Sequence, residues 1–201
     1  MTFRFPFAVV VGSAVVAAPA AAGVFTFSQQ NVWDAYVAFQ ALTTVTEDFN
    51  AIGDGSYASP FNGSQGGINW TASAPGGIQV QSGLFSTQTT TTLTFSFSPG
   101  VQGVGGNFFG RDAGFNPVPS IVQITLNDGS GYIGITSSAS DFVGFYSNGA
   151  AISSLSIAVA SGSTVFSTVD NLYFAVPIPA PGAAALIGLA AVAARRRRDV
   201  A

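Results

Sequence analysis

The segment Leu93-Thr94-Phe95-Ser96-Phe97-Ser98 alternates apolar and hydroxyl side chains without a break. Successive side chains of an extended chain point to opposite faces, so this segment separates an apolar face from a polar one only as a β-strand. Two other stretches repeat the pattern, with Val122, Ile124 and Leu126 in one and Leu155, Ile157 and Val159 in the other. A strand with one apolar face needs a second layer to cover that face, and one-sided burial is the habit of antiparallel sheets. The alternation therefore points to an all-β fold of at least two packed layers.

Clusters of Gly, Ser, Asn and Pro cut the chain after Asn50 into short runs. Strands are predicted over Thr44 to Phe49, Gly67 to Ala72, Gly77 to Gln81, Thr91 to Ser98, Gln102 to Phe109, Ile121 to Asn127, Gly131 to Thr136, Phe142 to Tyr146, Ile152 to Val159 and Thr164 to Ala175. Asn127-Asp128-Gly129 suits a tight hairpin, because Asp and Gly tolerate the positive φ such turns require. Ser147-Asn148-Gly149 predicts a second hairpin on the same grounds. Before these strands, Trp33, Tyr36, Val37 and Gln40 recur at helical spacing behind Ser28, which predicts a short N-terminal helix from Gln29 to Phe39 with Ser28 as its N-cap and Trp33 as its packing anchor. The expected fold is an antiparallel β-sandwich, jelly-roll-like, with a barrel as the alternative.

Chemistry is limited by what the 201 residues lack: there is no Cys, no His and no Lys. Disulfides and thiolate metal sites are excluded, and a serine nucleophile has neither of its usual bases. The glycines Gly103, Gly105, Gly106 and Gly110 do not fit a dinucleotide fingerprint, and close backbone packing or a bulge is the reading they support. Between residues 23 and 175, Arg111 stands alone against eight carboxylates, a formal charge of −7. Nucleic acid is not a partner for such a surface, since phosphate binding needs basic side chains along a face.

Three constellations remain. Glu47 is the only glutamate, and with Asp112 or Asp170 it could supply the carboxylate pair of a glycoside hydrolase. Its neighbour Asp48 points to the opposite face of the strand and cannot be that partner. Alternatively, Glu47 or Asp48 near the first strand could meet Asp170 near the last and form a structural calcium site, as hard oxygen ligands suit that ion. For a saccharide, an aromatic platform beside amides is wanted; Trp70, flanked by Asn69 and Thr71, is the first candidate contact, with Tyr57, Tyr132 and Tyr146 behind it.

The two ends read as addresses. Residues 1–22 carry Arg4, an apolar stretch and the small-residue site Ala20-Ala21-Ala22, the pattern of a secretory signal peptide cleaved after Ala22. At the other end stand Val176-Pro177-Ile178-Pro179-Ala180-Pro181, an apolar run from Ala183 to Ala194, and Arg195-Arg196-Arg197-Arg198. The run is short of the roughly 20 residues of a full span but approaches it with the prolyl segment included. The arginines would then act as a membrane stop on the cytoplasmic side. The chain thus divides into residues 1–22, a β-domain over residues 23–175, and a C-terminal segment over residues 176–201.

This three-part C-terminus resembles the sorting signal of bacterial PEP-CTERM proteins, with Ile178 or Ala180 where that family often has Glu. The resemblance implies processing by an exosortase-type membrane enzyme and membrane association at the inner membrane during sorting, through a transmembrane sorting helix. It further implies a final location at the cell surface or in the extracellular matrix of a Gram-negative-type bacterium. Phe27-Ser28 to Trp33, Thr46 to Phe49, Phe142 to Phe145 and Val169 to Leu172 are similar to elements of β-domains carried by such proteins. No catalytic residue or resident cofactor follows from it. The expected function is a non-enzymatic structural or adhesion role; the alternatives are a secreted carbohydrate-binding module that meets extracellular polysaccharide, and a polysaccharide-acting enzyme using Glu47.

Overall fold

A computed structural model describes residues 23–160 and 164–178 of the chain. Strand β1 (Val24–Phe27) leads into α1 (Gln30–Phe39), then β2 (Leu42–Glu47), β3 (Gly55–Tyr57), β4 (Phe61–Gln65), β5 (Ile68–Ser73), β6 (Ile78–Gln81), β7 (Leu84–Thr87) and β8 (Leu93–Phe97). The long β9 (Gly103–Arg111) follows, with β10 (Pro117–Val118), β11 (Ser120–Leu126), β12 (Gly131–Thr136), β13 (Phe142–Ser147), β14 (Ser154–Ala160) and β15 (Phe166–Pro177).

Every pairing among these strands is antiparallel. One sheet runs β1-β13-β9-β15-β7-β6-β3, with β10 added to β9 and β2 to β15; the other runs β12-β11-β14-β8-β5-β4. Their facing sides share one core: Leu93, Phe95, Val122, Ile124, Leu155 and Ile157 from the second sheet meet Val80, Phe85, Val104, Phe108, Val169 and Phe174 from the first. The period-two residues are the ones that build it. Around its centre Phe49, Trp70, Phe85 and Phe95 pack with ring centroids 4.9–6.3 Å apart, mostly tilted or edge-on as the ring quadrupoles favour.

The nine-stranded sheet is also covered on part of its outer side. There α1 lays Trp33 and Val37 against Leu42, Phe142, Tyr146 and Ala175. Trp33 is fully buried and donates its indole N–H to the Phe145 carbonyl at 3.0 Å. The floor beneath it has been kept flat: a Cβ on Gly144 would lie 2.6 Å from Trp33 Cδ1, and one on Gly103 only 2.9 Å from the Ala175 methyl. Close backbone packing is thus what the glycines of β9 provide, and Trp33 is the packing anchor its spacing predicts. The N-cap differs from expectation. It is Gln29, without a side-chain hydrogen bond, and Ser28 lies one residue outside.

Of the two predicted hairpins, the first is present. The β11–β12 turn has Gly129 at φ +84°, and Asp128 Oδ1 accepts the Ser130 N–H at 3.0 Å. The second is corrected: β13 and β14 belong to different sheets, so Ser147-Asn148-Gly149 opens a crossover. Ser147 Oγ donates to the Ala150 carbonyl at 2.7 Å, and Ile152 then drops into the core, which fixes the passage from one layer to the other. Sequence also places the end of the last strand at Ala175, whereas β15 continues to Pro177, with Val176 opposite Thr43 and Pro177 opposite Leu42. Among the described residues, no helix is long and apolar enough to cross a membrane. Ala20 and Ala22, the residues from Pro179 through Pro181, the apolar run and Arg195 to Arg198 lie outside the described residues.

Candidate functional site

Glu47, at the end of β2, points into the sandwich and is 8% exposed. Its Oε1 accepts the Phe49 backbone N–H at 3.0 Å and its Oε2 accepts the Trp70 indole N–H at 3.0 Å. The carboxylate closes an internal network, and both oxygens are committed to neutral donors. This corrects two sequence readings. Trp70 is buried at 2% exposure, because its ring completes the aromatic core, so it offers no platform to a saccharide. Glu47 likewise is largely buried rather than on an open face, with one core donor on each oxygen.

Pairing of β2 with β15 sets Glu47 opposite Leu172, two residues along the strand from Asp170. A bulge between Asp170 and Leu172 is absorbed by Asn171 at φ +41°, and Asn171 Nδ2 donates to Asn107 Oδ1 at 3.4 Å. Burial, and then the charge of Asp48, push the Asp170 carboxyl above its ordinary range. Asp48 itself is held below that range by hydrogen bonds from Asn50. With Glu47 turned inward, the junction presents two carboxylates, and no group of three metal-ligating side chains is assembled among the described residues.

A cleft lies elsewhere, beside the edge strand β3 of the nine-stranded sheet. This open cleft of about 760 Å³ is lined by Tyr57, Ser59, Ala74, Pro75 and Gly77, among others, and it meets a second hollow of about 320 Å³ at Ser56 and Gln88. Tyr57 is half-buried at the cleft, packs against the core, and its hydroxyl donates to the Gly53 carbonyl at 2.6 Å. Tyr146 is buried under α1, while Tyr132 is half-buried on β12.

At the far end of the groove is Arg111, the last residue of β9, 3% exposed. Its Nε donates to Ser86 Oγ at 2.7 Å, its Nη1 to the Asp112 carbonyl at 2.8 Å and its Nη2 to the Thr87 carbonyl at 3.2 Å. All three acceptors are neutral. Phe115 lies over one part of the guanidinium at 3.6 Å from the ring centroid, and Phe166 at 4.5 Å. The Asp112 carboxylate is turned away to the N–H groups of Gly114 and Asn116, at 2.8 and 2.9 Å, and so shapes the loop that carries Phe115. Those bonds, Asn116's first, hold Asp112 below the ordinary carboxylate range. Burial pulls Arg111 down to about 10, which leaves it charged at neutral pH. Sequence reasoning counted Arg111 only as a charge. The available signal was its isolation in a Lys-free domain between two phenylalanines that become neighbours only on folding.

No family model matches the chain, and no curated protein or solved structure matches it either.

Proposed function

We propose that this chain is a non-enzymatic exported protein whose jelly-roll-like sandwich is carried to the cell envelope and serves at the cell surface or in the extracellular matrix. The observation that carries this reading is the way the domain runs into its tail. The last paired residue is Pro177, and Ile178 emerges with 55% of its surface exposed. A cut among residues 178 to 181 would remove the apolar run and the arginines and leave every β15 pairing in place. The chemistry supports the same reading: the usual bases are missing, and the single Glu is consumed by the core. The partner is then an exosortase-type enzyme, and the inner membrane is a stage in sorting. Intact mass of the mature protein from its native host, with and without that enzyme, tests this. The expected chain starts at Gly23 and ends before Ala183; a mature chain still carrying Arg198 refutes it.

A second reading, a carbohydrate-binding module, is favoured by one observation. The groove from Tyr57 offers aromatic and amide groups along an open surface, a shape suited to a polymer, and ends at the nearly buried cation Arg111.

A further inference from the structure

We propose that the groove binds an acidic saccharide and that Arg111 is the group that reads its carboxylate. The inference rests on the carbohydrate-binding reading, and it stands whether or not the tail is processed.

A guanidinium carries five N–H donors in one plane. Here three are used, one on each nitrogen, so each terminal nitrogen keeps one more N–H. Phe115 and Phe166 stack on the group with their ring centroids 3.6 and 4.5 Å from Cζ, and Arg111, though almost buried, lines the smaller hollow. An edge with two parallel N–H donors matches a carboxylate bidentately, and no neutral hydroxyl uses both so well.

A buried cation hydrogen-bonded only to neutral oxygens costs stability, because the nearby Asp112 carboxylate offsets its desolvation only in part. The protein nonetheless builds around it. Phe115 sits at φ +63°, a backbone conformation that bulky side chains avoid, and the Asp112 bonds hold the loop that way. The remaining lining fits the rest of a sugar. Gln79 uses its amide oxygen for the Ser56 hydroxyl at 2.6 Å, which leaves its NH₂ to donate, while Gln88 gives its NH₂ to the Ile78 carbonyl at 2.9 Å and keeps an oxygen to accept. Hydroxyls flanking a carboxylate find a donor and an acceptor there. A domain charge of −7 repels an acidic polymer in general, so affinity must come from this one short-range cation, and neutral polymers lack the group it selects.

The test is calorimetric titration of the full chain with oligomers of galacturonate, guluronate and glucuronate, each against its methyl ester. Esterification keeps the sugar and removes the charge. At least one acid should bind about 10-fold or more tightly than its ester, the ratio expected of a bidentate charge-assisted contact. Arg111→Gln should abolish that preference. Because that variant could fold poorly, Phe115→Gly serves beside it: it relieves the positive φ, uncovers the guanidinium, and should change the acid-to-ester ratio several-fold with an unchanged melting temperature. Equal binding of acid and ester overturns the carboxylate assignment and leaves saccharide binding standing. No binding of any oligomer at millimolar concentration overturns both. A preference that persists in folded Arg111→Gln places the recognition elsewhere and refutes the role of this residue.

Discussion

Replacing Glu47 by Gln separates a structural carboxylate from a catalytic one. The substitution keeps the side chain's size, but an amide has one acceptor oxygen where the carboxylate has two. In the native protein two buried donors converge on it, the Phe49 N–H and the Trp70 indole N–H, each at 3.0 Å. Glutamine can satisfy one, and its NH₂ then faces the other. Bonds to a charged acceptor contribute about 1.5–3 kcal/mol each and neutral ones about 0.5–1.5, so one bond is lost and one weakened. Relief of the carboxylate's own desolvation at 8% exposure offsets part of this. The net destabilisation is about 1–3 kcal/mol, a sizeable share of the total for a domain of this size.

Urea unfolding followed by tryptophan fluorescence reads the change directly, as a lower midpoint at an unchanged slope. Trp70→Phe removes the second donor and should cost a comparable amount. The double variant should cost less than the two singles together, with a coupling of about 1 kcal/mol or more. A Glu47→Gln midpoint equal to that of the parent would refute the network, and so would strict additivity.

Other consequences follow from the same contacts. Gly144→Ala should destabilise by about 1–3 kcal/mol and shift Trp33 emission to the red, because the new methyl would sit 2.6 Å from the indole and 2.8 Å from Phe142; an unmoved spectrum contradicts the docking. Thr136 is 2% exposed and its hydroxyl has no partner, so Thr136→Val should stabilise by up to about 1 kcal/mol and raise the urea midpoint, and a lowered midpoint would show that the hydroxyl is used. Asp170 titrates above its ordinary value, through burial first and Asp48 second. The folded state then holds a proton that the unfolded chain has lost, and stability falls as pH rises from about 3.8 through the raised value. Asp170→Asn should accordingly raise the melting temperature modestly at pH 7, with the gain fading below pH 4; a pH-independent gain assigns the effect to something other than charge.

What could be read in the sequence was what a strand's period encodes. Leu93, Phe95 and Leu155 are core residues because alternation fixes their face whatever the partner strand. Strands β1, β3, β4, β7 and β10 have no counterpart among the predicted ones: they are two to five residues long, and Gly55-Ser56-Tyr57 or Phe61-Asn62-Gly63-Ser64-Gln65 has little pattern of its own. Their order comes from pairing, a non-local property. The same limit explains the site. Glu47 met Trp70 across the sandwich, turning two exposed-looking functional residues into one buried pair. Arg111 acquires Ser86, Phe115 and Phe166 from three separate segments, and only the folded register brings them to one guanidinium.

Strand β15 connects these features and sets a limit on where the tail can be cut. Its first residue, Phe166, covers Arg111; its middle bulges at Asn171; its last, Pro177, pairs with Leu42. Ala175 is fully buried and helps floor the Trp33 pocket, while Leu42 is 8% exposed. A chain ending at Phe174 would lose Ala175, Val176 and Pro177 together with their pairings to Thr44, Thr43 and Leu42. Loss of that apolar cover and of the terminal ladder bonds should cost about 2–4 kcal/mol. A chain ending at Ile178 should match the longer protein. Urea unfolding of the two truncations decides the matter: equal midpoints would mean that Val176 and Pro177 belong to the tail and not to the domain. A lower midpoint for the shorter chain would show that the domain needs residues beyond Phe174, so that a cut must fall later than that.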